Sequence, residues 1–245
     1  MNLNSVLGRI DPRNRNWVLG KLFELRGNLY RADGLEFEIP DGIMPTSLKS
    51  RFVLDTYERP ERNLTRRFVK PGDCILELGS CLGIVSCFAN RLLANPELHV
   101  ALEANPSLIP VIERNRQLNS CKFTTIHGAI GDGNDLEFWV NRVPTASSGL
   151  SKRGTRIQVP TFTLDALRRR VPVDFSCLLM DVEGAEAGVL ASFLPNMKSI
   201  RTIIVETHPA IYGNEGHRRV ERCLGEAGYS CQATEGTVGV WSRQL

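Results

Sequence analysis

Long apolar runs are missing from this sequence. No stretch approaches the ~20 consecutive apolar residues needed to cross a bilayer, and the opening MNLNSVLGRIDPRNRNW lacks the apolar core of a secretory signal. A large charge excess is missing too. Thirty basic and 27 acidic residues leave a formal net charge of +3, too small to imply a dedicated nucleic-acid or anionic-membrane surface. Paired cysteines are absent as well: Cys74, Cys81, Cys87, Cys121, Cys177, Cys223 and Cys231 are odd in number, scattered, and never spaced Cys-x-x-Cys. That disfavours a zinc site and reads as buried thiols in a reducing compartment. No internal repeat or low-complexity tract interrupts the chain. The expectation is a cytoplasmic globular protein. Its 245 residues, 42% hydrophobic and 23% charged, suffice for one full core with a small appendage.

What is present is an alternation. Residues 3–26 carry two helical-period segments broken at Asp11-Pro12. Asp33-Gly34, flanked by apolar alternation, signals a two-residue hairpin because both turn positions need positive φ. From residue 74 onward, apolar strands expected at 74–78, 100–103, 123–130, 177–182 and 202–206 alternate with helices at 84–93, 107–118, 164–170, 187–194 and 217–227. Such alternation argues an α/β fold on a parallel sheet. Residues 136–140 and 156–159 suggest an inserted hairpin around the polar loop PTASSGLSKRG. Residues 229–233 and 238–241 suggest a terminal antiparallel pair. We divide the chain into an N-terminal helical and hairpin extension, 1–60, covering a cleft, and a main domain, 61–245.

Three motifs carry chemistry. In ILELGSCLGIVS a buried strand enters Glu77, Gly79, Ser80 and Gly83 and then a helix, the setting in which glycines let a cofactor approach the backbone. The spacing fits neither the GxGxxG of dinucleotide binders nor the GxxxxGK of phosphate loops, and no cation follows it. Second, Glu103 closes the next strand 20 residues after Gly83, followed by Ala104, Asn105 and Pro106. A carboxylate there can accept hydrogen bonds from both hydroxyls of a ribose, and Asn105 suits a helix cap. Third, Ile130 offers an apolar edge and Asp132 a partner for an adenine amino group, although a plain glycine-rich turn explains the same residues.

Glu77-x-Gly79-x-x-x-Gly83, the carboxylate Glu103, DVEGAE at the fourth strand and VETHP at the fifth together resemble an S-adenosylmethionine-dependent methyltransferase of the FkbM type. TYERPE before the first helix of the main domain, Lys70-Pro71-Gly72-Asp73, and Thr163-Leu164-Asp165-Ala166-Leu167 resemble the same family, so the likeness spans roughly residues 35–210. It implies a Rossmann-like class I methyltransferase fold: a seven-stranded, mostly parallel sheet with a reversed last strand. It also implies S-adenosyl-L-methionine as cofactor and O-methylation of a sugar, glycolipid or polyketide-type hydroxyl. Two departures stand out. The family's Asp-x-Gly-Ala-Asn-x-Gly is here Glu77-Leu78-Gly79-Ser80-Cys81-Leu82-Gly83, without the asparagine, and Met180 stands where a lysine usually precedes the fourth-strand aspartate.

Ligands of open α/β sheets bind beyond the carboxyl ends of the strands, where Asp181, Glu183, Glu206 and His208 fall. Asp181 is expected to bind the methionine part of the cofactor or contact the acceptor. Glu183 and Glu206 are expected to orient acceptor hydroxyls, and His208 to serve as base or as a structural loop residue. Tyr57 and Glu58 in the lead-in, and Ser147 and Ser148 in the polar loop, are candidate substrate contacts. Two carboxylates can begin a hard-cation site, but no further ligands are evident, so no metal set is assigned. The acceptor is expected to be a small molecule or glycan, not nucleic acid. A nicotinamide-dependent oxidoreductase and a non-catalytic cofactor-binding domain remain the competing readings, and the sequence does not address oligomeric state.

Overall fold

The computed structural model describes residues 11–141, 145 and 154–244. Helix α1 (Pro12–Leu25) begins at a proline, whose missing N–H costs nothing in a first turn. The hairpin β1 (Leu29–Ala32) and β2 (Leu35–Glu38) closes through Asp33 and Gly34, both at positive φ as the motif requires. Helices α2 (Ser50–Val53) and α3 (Arg59–Phe68) lead to the main sheet.

The sheet has seven strands in the order β12-β13-β11-β10-β3-β4-β5. They are β3 (Ile75–Leu78), β4 (His99–Glu103), β5 (Thr124–His127), β10 (Cys177–Met180), β11 (Thr202–Glu206), β12 (Ser230–Glu235) and β13 (Val238–Ser242). Neighbours from β5 to β11 pair in parallel, and β13 runs against both β11 and β12. This is the α/β architecture with a reversed last strand expected from the sequence.

The central strands are buried throughout because helices cover both faces. Side chains alternate between the faces. Leu76, Leu78, Leu178, Met180, Ile203 and Val205 pack with Leu190 of α7 (Glu186–Phe193) and Leu224 of α8 (Pro209–Glu226). Ile75, Cys177, Leu179 and Ile204 pack with Leu64 of α3 and Ala89 of α4 (Ile84–Leu92). A third cluster joins Phe23, Tyr30, Phe37, Phe52 and Tyr57 of the lead-in to Leu82, Ile84, Phe88 and Ile112, so the extension shares a core with α4 and α5 (Ile109–Leu118).

Two elements differ from expectation. The third strand, expected over 123–130, breaks at Gly128 (φ 152°): β5 stays in the sheet, while β6 (Ala129–Ile130) turns out to pair with β9 (Thr161–Phe162). A Cβ on Gly128 would lie 2.6 Å from the Phe162 ring and 2.7 Å from the Pro160 carbonyl, so only glycine permits the crossing. The last helix starts at Pro209 rather than 217 and passes a non-helical Gly213 (φ 71°, ψ 178°). The inserted hairpin is present as β7 (Leu136–Val140) and β8 (Thr155–Val159), followed by β9 and α6 (Leu164–Arg168). No described helix is long and apolar enough to cross a membrane.

Candidate active site

A cleft of about 900 Å³ including its open mouth lies at the carboxyl ends of β3, β4 and β10. Its floor is the turn after β3. Gly79 has φ 88°, and a Cβ there would sit 1.7 Å from the Asp181 carbonyl oxygen, so the first motif is glycine because two strand ends touch. Gly83, at φ 73°, opens α4, and a Cβ on it would press on Ile112. Cys81, also at positive φ, lines the cleft where the family's asparagine stands, and its sulfur lies 3.6 Å from the Tyr57 hydroxyl.

Glu103 sits in the cleft wall, 6% exposed, and accepts N–H bonds from Cys81 (2.9 Å) and Asn105 (2.7 Å). Burial pushes its carboxyl up to about 7, against the pull of those backbone donors. Ala104, Ile130, Asp181 and Glu183 line the same cleft. Leu136, Phe138 and Thr145 of the inserted segment join them, residues to which no motif had pointed.

Other expected cofactor residues lie elsewhere. Glu77 is 2% exposed and turns toward α4, accepting from Ser86 Oγ at 2.9 Å and pairing with His99 Nε2 at 2.8 Å. The even-odd alternation along β3 sends it to the opposite face from Leu78. Ser80 is buried with its hydroxyl toward the Leu102 carbonyl. Asn105 Oδ1 accepts from the backbone and hydroxyl of Ser107, the cap expected of it. Asp132 is exposed and closes its own turn, accepting from Asn134 N at 2.9 Å and Asn134 Nδ2 at 3.0 Å, so the glycine-rich-turn reading describes it and an adenine contact does not. Ser147 and Ser148 lie outside the described residues.

Behind the cleft is a second pocket of about 430 Å³, between α3 and the β11–β13 side of the sheet. It meets the first at Leu78, Gly79 and Asp181. Glu58, Glu61 and Glu206 line it beside the apolar Ile204 and Val238. Glu58 holds a left-handed conformation (φ 47°, ψ 31°) just before α3. Burial, and then Glu206 beside it, push Glu61 up to about 8, while burial and the surrounding carboxylates raise Glu58 well above its ordinary range. Glu206 accepts from Thr237 Oγ1 at 2.9 Å. In the sequence Glu61 stands out only as the last residue of TYERPE. Its one-turn spacing from Thr65, which lines the same pocket, was the available signal. Tyr57, by contrast, is buried under the lead-in with its hydroxyl on Cys81.

His208, just before α8, joins the two strand ends. Its Nδ1 lies 2.8 Å from Glu186 Oε1, and its Nε2 lies 3.5 Å from Asp181 Oδ1 and 3.6 Å from Glu183 Oε2. Glu186, fully buried at the start of α7, also accepts from Gly184 N at 3.0 Å. Burial alone would lower the imidazole's pKa, but the Glu186 hydrogen bond and the charges of Asp181 and Glu183 outweigh it and push it up to about 9. His208 therefore carries its proton at neutral pH, which counts against the role of base expected from the sequence. Asp181 is raised by burial and by Glu206 and Glu183, and its Oδ1 is buried without a hydrogen-bond donor. Asp181, Glu206 and His208 each offer a ligand atom within 4.8 Å of the others, which supplies the third metal-type ligand that spacing alone had not revealed.

The cleft fits S-adenosylmethionine. Its glycine floor is a cradle that a Cβ would fill, Glu103 would present a carboxylate to ribose hydroxyls, and Ile130 and Phe138 form an apolar wall. Glu183 and Asp181 line the same cleft and would face the sulfonium and amino groups.

No curated protein matches the sequence. Among solved structures, a methyltransferase from Pyrococcus furiosus is 13% identical with a TM-score of 0.52, covering 96% of this chain and 100% of that one, a likeness of fold. An O-methyltransferase from Bacillus cereus, solved with SAH, is 13% identical with a TM-score of 0.49, covering 98% of this chain and 96% of that one. The model of the methyltransferase FkbM domain matches residues 77–231, from the first carboxylate of β3 into β12. That match spans more than half of the sequence, and the chain belongs to the FkbM methyltransferase family, enzymes whose methyl donor is S-adenosylmethionine.

Proposed function

We propose that this methyltransferase transfers its methyl group to a hydroxyl of a small polyhydroxylated acceptor, such as a sugar, a glycolipid head group or a polyketide-type alcohol. The observation that carries this reading is the pocket lined by Glu58, Glu61 and Glu206, which opens onto the donor cleft at Asp181. Carboxyl groups in an enclosed pocket hold hydroxyl donors in fixed directions. An enclosed pocket of about 430 Å³ behind the donor cleft favours a small molecule over nucleic acid.

Bound S-adenosylmethionine supplies an electrophilic methyl group on a cationic sulfur. The chain must then align an acceptor oxygen and take its proton. Alignment is worth ~7 to 11 kcal/mol and a general base 10²- to 10⁴-fold, roughly 3 to 5 kcal/mol, so positioning carries the larger share. Glu58 and Glu61 on the α3 side and Glu206 on β11 grip the acceptor from opposite walls. With its pKa pushed up to about 9, His208 faces Asp181 at 3.5 Å and Glu183 at 3.6 Å as a positive charge rather than as a proton acceptor. The hydroxyl proton goes to Glu61, whose carboxyl, pushed up to about 8 by burial and by Glu206, holds a proton readily near neutral pH.

The experiment is an acceptor screen read by S-adenosylhomocysteine release, with the methyl position found by mass spectrometry and NMR. Methyl ethers of hydroxylated small molecules are expected. Exclusive methylation of nitrogen, carbon or RNA would refute the reading.

A further inference from the structure

Asp181 and Glu206 line the proposed acceptor pocket and His208 stands beside them, an arrangement that a hydroxyl-binding role leaves unexplained. Asp181 follows β10, Glu206 ends β11, and His208 lies two residues beyond it, so adjacent parallel strands deliver all three to one point. Their ligand atoms lie within 4.8 Å of one another. On an octahedral ion with bonds of ~2.1 Å, ligand atoms lie roughly 3 to 4 Å apart. Side-chain movements of under ~1 Å would close the set.

Two further observations point to an ion. Metal-bound histidines regularly donate their other ring nitrogen to a carboxylate, which fixes the ring and its tautomer. His208 Nδ1 is 2.8 Å from Glu186, which is wholly buried and is itself anchored by Gly184 N. That bond leaves Nε2 directed at Asp181. The Asp181 Oδ1 atom is buried and has no hydrogen-bond donor. Neither Asp181 nor Glu206 forms an ion pair with a lysine or arginine among the described residues. That oxygen faces the His208 ring at 3.5 Å without a hydrogen bond, and a cation between the two would satisfy both, releasing the Nε2 proton to solvent as it binds.

We propose that Asp181, Glu206 and His208 bind one divalent cation at the junction of the donor cleft and the acceptor pocket, with Glu186 holding His208 in place. The mixed oxygen and imidazole set suits Mn²⁺, or Mg²⁺ completed by water. Glu61 and Glu183, outside the triad, remain to contact acceptor hydroxyls, and the ion offsets the local negative charge. This inference rests on the second pocket being the acceptor site.

The test uses the full chain and Mn²⁺. Free Mn²⁺ is followed by electron paramagnetic resonance and heat by calorimetry, with S-adenosylhomocysteine present and absent. One saturable ion per chain is expected, weakened at least tenfold in Glu206→Gln and His208→Ala. Glu186→Gln should lose ~10- to 100-fold. Glu103→Gln, in the donor cleft, should bind Mn²⁺ as the natural chain does. Circular dichroism and S-adenosylhomocysteine affinity verify that the pocket variants fold, and Glu186→Gln reads the same site should a ligand variant fail to fold. No saturable binding, or binding indifferent to all three pocket substitutions, overturns the proposal. Methyl ether formation at full rate in chelator, without bound Mn²⁺, would overturn the cation site and leave hydroxyl methylation standing. Specific Mn²⁺ binding by a protein that methylates no hydroxyl would uphold the site and overturn the functional reading.

Discussion

Glu103 shows how one buried carboxyl can set the conditions for donor binding. Its pKa of about 7, against 4.5 for a free side chain, makes its ionisation unfavourable in the folded state. The cost is absent below the unfolded pKa, grows between about 4.5 and 7, and is complete above 7. If ribose hydroxyls donate to the ionised form, as we propose, donor affinity should fall as pH drops from 8 to 6. Calorimetric titration with S-adenosylhomocysteine checks this, and Glu103→Gln should bind weakly with a flat pH profile. Glu103→Ala should weaken binding at least tenfold. Gly79→Ala is predicted to be worse, since its Cβ would meet the Asp181 carbonyl at 1.7 Å in a backbone held at φ 88°. A loss of roughly 2 kcal/mol or more in denaturant melts, with donor binding abolished, is expected.

At the scale of elements, the lead-in is clamped to α3 by a buried cation. Arg62, 4% exposed, pairs with Asp33 of the β1–β2 turn and with Asp55 at 2.7 Å, and Asp55 also accepts from the Tyr30 hydroxyl at 2.6 Å. Arg62→Ala should therefore cost about 2 kcal/mol in denaturant melts, the partly exposed aspartates limiting the loss. If α3 stays in place on the sheet, donor affinity should remain.

The same elements show what a sequence can reveal. Strand and helix alternation, the Asp33-Gly34 turn and the terminal antiparallel pair were legible because each rests on local periodicity or on a residue with special φ, while the reversed last strand came from the family resemblance. Glu103 was placed by its strand end. The break at Gly128 was not, because its reason is Phe162, more than thirty residues away. Glu77 was misplaced for a simpler cause: a strand end carries side chains to both faces, and the motif does not say which face the ligand meets. The pairing of His208 with Glu186 depends on α7 and α8 packing together, which no spacing records.

Across the whole molecule, the sheet brings two pockets together at Asp181. In our proposal the cleft over β3 and β4 takes the donor, and the pocket under α3 takes the acceptor. Membership of the FkbM family sets aside the oxidoreductase and non-catalytic readings. The carboxyl-lined pocket, in our proposal, holds an acceptor hydroxyl facing the donor. The most direct test is transfer of a ¹³C-methyl group from labelled S-adenosylmethionine to a hydroxylated acceptor found in the screen, comparing the natural chain with Glu61→Gln and Glu206→Gln. A ¹³C methyl ether whose formation falls at least a hundredfold in Glu206→Gln and clearly in Glu61→Gln, with S-adenosylhomocysteine affinity unchanged, is predicted. An ether formed equally well by both variants would contradict the account.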